Sequence, residues 1–355
     1  MSLDLNLTFP LAYGLVLANG LIKQRPEDFI VDEQLSFELT GSGEHVYLRI
    51  RKRQANTQWV VKQLARQFGC LARDIGYAGL KDRQALTTQW FSLPAKAFHE
   101  SKATRFACEG VEIIEVNRHS GKLRRGAIKQ NAFDLLIRDV VFDPDELTQR
   151  MTRIASQGVP NYFGEQRFGI RRQNLQVVDE WFGGVRKVDR FKRSLYLSAA
   201  RSWLFNLVLA ERVHQATWCE PLTGDVYLLE GSKRFFYEPQ LSEEIMRRVQ
   251  EGDIHPSAPL WGEGVLLTTD AARLLEETVL SEWPAWRQGL QCAGLKQQRR
   301  ATRVIPRELF YTYDETQHTL RLGFALPAGC YATGLLRELI AFPSDLSGEF
   351  ELTDE

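Results

Sequence analysis

Apolar and polar positions along this chain change their period several times, and each change marks an element. From His45 to Arg51, Val46, Leu48 and Ile50 alternate with Tyr47, Arg49 and Arg51, the two-residue period of a strand with one polar face. Phe133, Leu135 and Ile137 repeat it, as do Leu320, Leu322 and Phe324. Between the first two strands the period lengthens to four. Val60, Leu64 and Phe68 predict a helix opened by Asn56 and closed by Gly69. Asp143-Pro144 opens a second helix, with Leu147, Met151 and Ile154 inward and Gly158 as its C-cap. Past Val159-Pro160 helical patterns take over, at Ser198 to Gln215, Ser242 to Glu251 and Ala271 to Trp283, and strand character returns only after Pro306. Strand-rich segments on either side of a helix-rich one predict an α+β chain of two domains. Residues 1–156 and 308–355 build the first around a mainly antiparallel mixed sheet, and residues 157–307 are inserted as the second, also α+β.

A length of 355 residues suits two domains with sizeable cores. With 44% hydrophobic and 25% charged residues, neither disorder nor a membrane protein is indicated. The five cysteines, Cys70, Cys108, Cys219, Cys292 and Cys330, are odd in number, with no Cys-x-x-Cys pair. This predicts a reduced cytoplasmic protein without disulfides. No leader pattern and no run of 18 apolar residues suggests export or membrane spanning. Phosphate-binding glycine motifs are absent, and the six histidines lack ligand spacing. No cofactor and no metal is implied.

The 45 basic and 45 acidic residues cancel, but not locally. Asn117 to Phe133 holds Arg118, Lys122, Arg124, Arg125 and Lys129 and no acid. A second cluster is Lys296, Arg299, Arg300, Arg303 and Arg307; a third is Arg49, Arg51, Lys52 and Arg53; a fourth is Arg186, Lys187, Arg190, Lys192 and Arg193, broken only by Asp189. Acids gather at Asp345, Glu349, Glu351, Asp354 and Glu355. Four cationic clusters in a neutral chain predict a basic groove for phosphates.

Candidate chemistry centres on Gly76-Tyr77-Ala78-Gly79-Leu80-Lys81-Asp82-Arg83. One carboxylate between two cations at a loop tip is expected to stay anionic, fit to act as nucleophile or general base. Taken with Arg25-Pro26-Glu27-Asp28-Phe29 upstream and Asn161-Tyr162-Phe163-Gly164-Glu165-Gln166-Arg167-Phe168-Gly169 downstream, this run resembles the D family of tRNA pseudouridine synthases. The likeness extends from about Leu21 to Leu339. It implies the pseudouridine synthase catalytic fold carrying a family-specific insertion, with tRNA as partner and no obligate protein partner. The implied activity is isomerisation of uridine, at position 13, without cofactor.

The resemblance makes Asp82 the essential aspartate, flanked by Lys81 and Arg83, only one of which should face the site. It sets Phe133 against the target base, with Asn131 able to pair with the uracil edge, and brings Phe29 and Tyr331 to the nucleotide. Tyr331 stands where phenylalanine is usual. Lys23 lies near the catalytic carboxylate and Lys81 near the substrate. Arg124, Arg125, Arg167, Arg299 and Arg300 are candidates for RNA phosphate. Two other readings are a non-catalytic RNA-binding protein and an RNA methyltransferase using Cys70 or Cys330.

Overall fold

The computed structural model of the chain describes residue 5 and residues 7–342; the acidic positions from Asp345 onward lie outside them. The chain divides into a sheet unit, residues 18–141 and 306–329, and a helical unit drawn from residues up to 17, 142–305 and 330 onward. The helical unit therefore exceeds the expected insertion over 157–307. It takes in the Asp143-capped helix and the segment after Gly329.

The sheet unit is built on β1 (Phe29–Leu35), β2 (His45–Arg53), β3 (Gly76–Tyr77), β4 (Leu86–Pro94), β5 (Val111–His119), β6 (Ile128–Ile137), β7 (Arg307–Asp314) and β8 (Thr319–Pro327). Their order across the sheet is β7-β8-β6-β1-β4-β2-β5, with β3 also paired to β4. Only β1 and β4 run parallel, from Ile30 opposite Leu86 to Asp32 opposite Thr88. Beyond Thr88 the partner on that side of β4 is β3, through Gly76–Ser92 and Tyr77–Phe91. Gly76 is required there, since a Cβ would come within 2.3 Å of the Leu123 carbonyl oxygen.

Helix α1 (Thr57–Phe68) starts where the Asn56 side chain accepts the Gln58 N–H at 2.8 Å and ends at Gly69 in the left-handed region, φ 69°. Its Val60, Val61, Leu64 and Phe68 pack with Val46, Leu48, Ile50, Phe91 and Leu93 in one hydrophobic core of the sheet unit. The opposite face of β2 is less polar than its alternation predicts. Tyr47 is buried with Trp90, Ala78 and Leu123, because its ring has aromatic neighbours and its hydroxyl donates to the Gly121 carbonyl at 3.1 Å.

In the helical unit, α2 (Pro144–Gln157) is capped by Asp143 as expected. It is followed by α3 (Gln173–Phe182), α4 (Arg193–His214), α5 (Glu243–Gln250), α6 (Asp270–Ser281) and α7 (Pro284–Cys292). Strand character does not wait for Pro306: Val226–Leu229, Phe235–Tyr237, Ile254–Leu260 and Gln298–Ala301 form a four-stranded sheet. One of its two inner strands, Ile254–Leu260, carries Pro256 and Pro259, which argue against a central strand by pattern. The register accommodates them, because residues 254–256 pair with Tyr227–Leu229 and residues 257–260 with Gln298–Ala301, each part on one side. Among the described residues no helix is long and apolar enough to cross a membrane.

Candidate active site

The loop between β3 and β4 carries Asp82, and both carboxylate oxygens of that residue have defined partners. Asp82 Oδ1 accepts the Gln84 backbone N–H at 2.9 Å, which closes a tight turn on the aspartate itself. Its Oδ2 is paired with the Lys23 ammonium. Neither charged group is much exposed, 5% for the Lys23 side chain and 13% for that of Asp82, so water screens the attraction little. Lys23 is a non-glycine residue in the left-handed region, φ 56°, and its ammonium also stands 4.4 Å from the centre of the Phe29 ring.

The loop backbone is held from behind. The Lys81 N–H donates to Thr57 Oγ1 at 3.1 Å, the Thr57 hydroxyl donates to Gln89 Oε1 at 2.9 Å, and Gln89 Nε2 donates to the Gly79 carbonyl at 3.2 Å. Lys52, fully buried, donates to the carbonyls of Ala55, Lys81 and Asp82. The cations flanking Asp82 in sequence do not pair with it. Arg83 is exposed, and Lys81 forms an ion pair with Glu33, whose side chain is 0% exposed. Alternating side-chain directions in the loop separate neighbours, so the counter-ion of Asp82 comes from Lys23, 59 residues away in sequence.

Glu33 lies where β1 parts from β4, and its Oε1 accepts the Trp90 backbone N–H at 3.1 Å in place of a strand neighbour. In β1 the residues Phe29, Val31 and Glu33 share one face. Register carries that face onto β6, with Phe29 opposite Leu135, Val31 opposite Phe133 and Glu33 opposite Asn131. Phe133 is half-buried, edge-on to Phe29 at 6.2 Å between ring centres and stacked on Phe324 at 5.1 Å. The Asn131 side-chain oxygen is buried without a hydrogen-bond partner. Asp82, Lys23, Phe29, Lys81, Asn131 and Phe133 are thus linked within one unit.

Tyr331 belongs to the helical unit. Its hydroxyl accepts from the Arg167 guanidinium at 3.1 Å, and its ring lies edge-on to Phe163 at 6.4 Å. Arg167 also donates to Ser198 Oγ at 3.0 Å. Arg300 lies 4.1 Å over the Phe163 ring and donates to Asn161 Oδ1 at 2.6 Å, with burial working against its charge. The Asn161 to Gly169 run is therefore tied to Arg300 and Tyr331.

The cationic clusters fare unequally. Arg124 is exposed, as is Arg125, which lies 4.0 Å over the Tyr77 ring. Lys187, Arg190, Lys192 and Arg193 are exposed beside Phe191, itself 91% exposed. The third cluster is neutralised locally, by Arg49 on Asp32 and Glu115, Arg51 on Glu112 and Arg53 on Glu27. In the second, Arg299 is buried on Ser257 and Glu276, and Arg303 on His255. Arg299 thus has no surface to offer a phosphate, since its carboxylate partner lies in the core.

Glu33, Lys52, Thr57 and Gln89 are not candidates for the catalytic site by sequence; Lys52 counts only in a cationic cluster for phosphate, from which its burial removes it. For the first two a signal exists. Glu33 follows Phe29 and Val31, and Lys52 follows Val46, Leu48 and Ile50, each a charge in the apolar phase of its strand.

Comparison with known proteins identifies the family of the chain. The family model described as tRNA pseudouridine synthase D (TruD) matches residues 13–182 and 175–339. The tRNA pseudouridine synthase D of Nitrosococcus oceani is 47% identical over 334 residues, covering 93% of each chain. That of Methylococcus capsulatus is 44% identical, covering 94% of each. A solved structure from Methanosarcina mazei, described as a putative tRNA pseudouridine synthase D, superposes with a TM-score of 0.72 at 21% identity, covering 93% of this chain and 95% of that one. With a carboxylate so held and a family match running through both units, the chain belongs to the tRNA pseudouridine synthase D family.

Proposed function

We propose that this protein converts uridine to pseudouridine in tRNA, at uridine 13, with Asp82 as the essential group. Base and ribose are parted and rejoined within one nucleotide, so the reaction needs a carboxylate beside the sugar and no external reagent. Asp82 suits each available route: attack on the ribose, attack on the base, or removal of a ribose proton. The observation that carries the reading is the holding of Asp82, one oxygen on Lys23 and the other on the Gln84 N–H, at the end of a loop fixed from below.

A uridine turned out of its stack would meet Phe133 and Phe29 as its aromatic surface, and the unpartnered Asn131 oxygen could accept the uracil N3–H. Lys81 stands beside this face, paired with Glu33. Tyr331, in the helical unit, is a further candidate for contact with the nucleotide. Arg124, Arg125 and Arg167 remain candidates for phosphate, joined by the cations around Phe191, and Arg300 for holding the Asn161 run. The proposed location is the cytoplasm, which five cysteines without a disulfide support.

The cysteine-dependent alternative is disfavoured by burial, which pushes the Cys70 and Cys330 thiols up and suppresses their thiolates. The test is to incubate purified protein with tRNA and no added cofactor, then map pseudouridine by position. Asp82→Asn should abolish product while tRNA binding persists. An active Asp82→Asn enzyme, or product at another position only, sinks the corresponding part of the proposal.

A further inference from the structure

Among the described residues of the sheet unit, Lys52 alone is both basic and fully buried, at the end of a strand whose other inward positions are Val46, Leu48 and Ile50. Its ammonium has three N–H donors, and three backbone carbonyls receive them: Ala55 at 2.7 Å, Asp82 at 2.9 Å and Lys81 at 3.3 Å. Two of those carbonyls belong to the catalytic loop, and one belongs to Asp82 itself. The other ties to the loop backbone, from Thr57, Gln89 and the Gly126 N–H, reach Lys81, Gly79 and Ala78. Lys52 is therefore the side chain that grips the peptide of the proposed catalytic residue.

We infer that Lys52 is a positioning residue for Asp82, its ammonium fixing the Lys81 and Asp82 carbonyls so that the carboxylate stays aimed at the incoming nucleotide. This rests on the reading of Asp82 as the reactive group. The side chain of Lys52 touches no surface, so it acts on the substrate only through the loop. A displacement of about 1 Å at a reacting group costs up to about a hundredfold in rate, which sets the scale of the expected effect.

The protonation state matters to this grip. Burial pushes the Lys52 ammonium down to about 7; Asp82 works against that shift, and Lys81 adds to it. A neutral amine has two donors and a lone pair, so on losing its proton Lys52 leaves one of the three carbonyls unmatched. The rate of the chemical step should then fall as pH rises through that region.

The test is single-turnover pseudouridine formation with saturating protein on full-length tRNA, alongside direct measurement of tRNA affinity. Lys52→Met keeps the bulk and removes the donors; its rate should fall at least about tenfold, with affinity within about twofold of wild type. Lys52→Gln keeps an uncharged donor pair and should lie between, without the pH dependence. If neither variant folds, the wild-type profile decides. A descending limb near neutral pH supports the inference, and a rate flat from about pH 6 to about pH 9 overturns it. Lys52→Met at the wild-type rate overturns it too, as does a loss confined to affinity. Asp82→Asn runs beside these: activity there defeats the catalytic assignment itself, whereas a dead Asp82→Asn with a fully active Lys52→Met defeats only the role of Lys52.

Discussion

Replacing Glu33 by glutamine keeps the shape of the side chain and removes one charge from a pair that water barely reaches. The Glu33 side chain is 0% exposed and that of Lys81 7%. Breaking a buried pair by removing one partner typically costs about 3–5 kcal/mol, because the other charge is left without compensation. Glutamine can still accept the Trp90 N–H through its oxygen, so this cost isolates the charge. Glu33→Ala loses that acceptor as well and should cost roughly 1–3 kcal/mol more.

Urea unfolding is best followed by hydrogen exchange of the peptide spanning residues 86–94, which reports the sheet unit alone. With a slope of about 2–3 kcal/mol per molar urea, the Glu33→Gln midpoint should drop by roughly 1–2.5 M. Adding Lys81→Met removes the stranded charge, so the double variant should be more stable than Glu33→Gln. A Glu33→Gln cost below about 1 kcal/mol, or a double variant no better than the single, refutes the buried-pair account.

Phe133→Ala removes a ring of the kind worth about 1–3 kcal/mol per stacked base, so single-turnover rate should fall about tenfold or more, while Phe133→Tyr keeps most of it. A full rate in Phe133→Ala would make the residue structural, a neighbour of Phe29 and Phe324 only. Neutralising Arg124 and Arg125 together should flatten the dependence of log affinity on log salt by about two units, if both meet phosphate; an unchanged slope removes them from the interface. Arg299→Met should instead leave that slope alone and lower stability, because Glu276 loses its buried partner. For Lys52, the unfolded chain keeps its proton up to about 10.5 and the folded protein gives it up near 7, so the unfolded state binds more protons between. This residue's contribution to stability should rise with pH across that window, and Lys52→Met should lose that rise in urea midpoints taken at several pH values.

Much of this architecture could be read from residue order. Alternation located β2, β6 and β8, and caps located α1 and α2, because those elements have one apolar stripe and clear end signals. Sequence likeness brought Asp82, Lys23, Phe29, Asn131 and Phe133 forward, and the fold links them within one unit. What stayed hidden was pairing at long range. The counter-ion of Asp82 is remote in sequence, while adjacent Lys81 turns to Glu33. Acid-free runs such as Lys296 to Arg307 looked exposed because their partners, Glu276 and His255, sit elsewhere in the chain. The insertion is expected to be α+β, but pattern does not locate its strands; two prolines fall within one of them, Ile254–Leu260.

The backbone of Lys23 has a consequence for how such a protein evolves. A lysine at φ 56° occupies a region that costs ordinary residues about 1–2 kcal/mol and that asparagine or glycine enters more readily. Variants such as Lys23→Asn or Lys23→Gly relax the chain there and discard the ammonium that faces Asp82. Such a change therefore relieves about 1–2 kcal/mol of backbone strain but strands the largely buried Asp82 carboxylate, a loss that typically costs about 3–5 kcal/mol. Neither drift toward a relaxed backbone nor selection for thermal resistance favours a departure from lysine there.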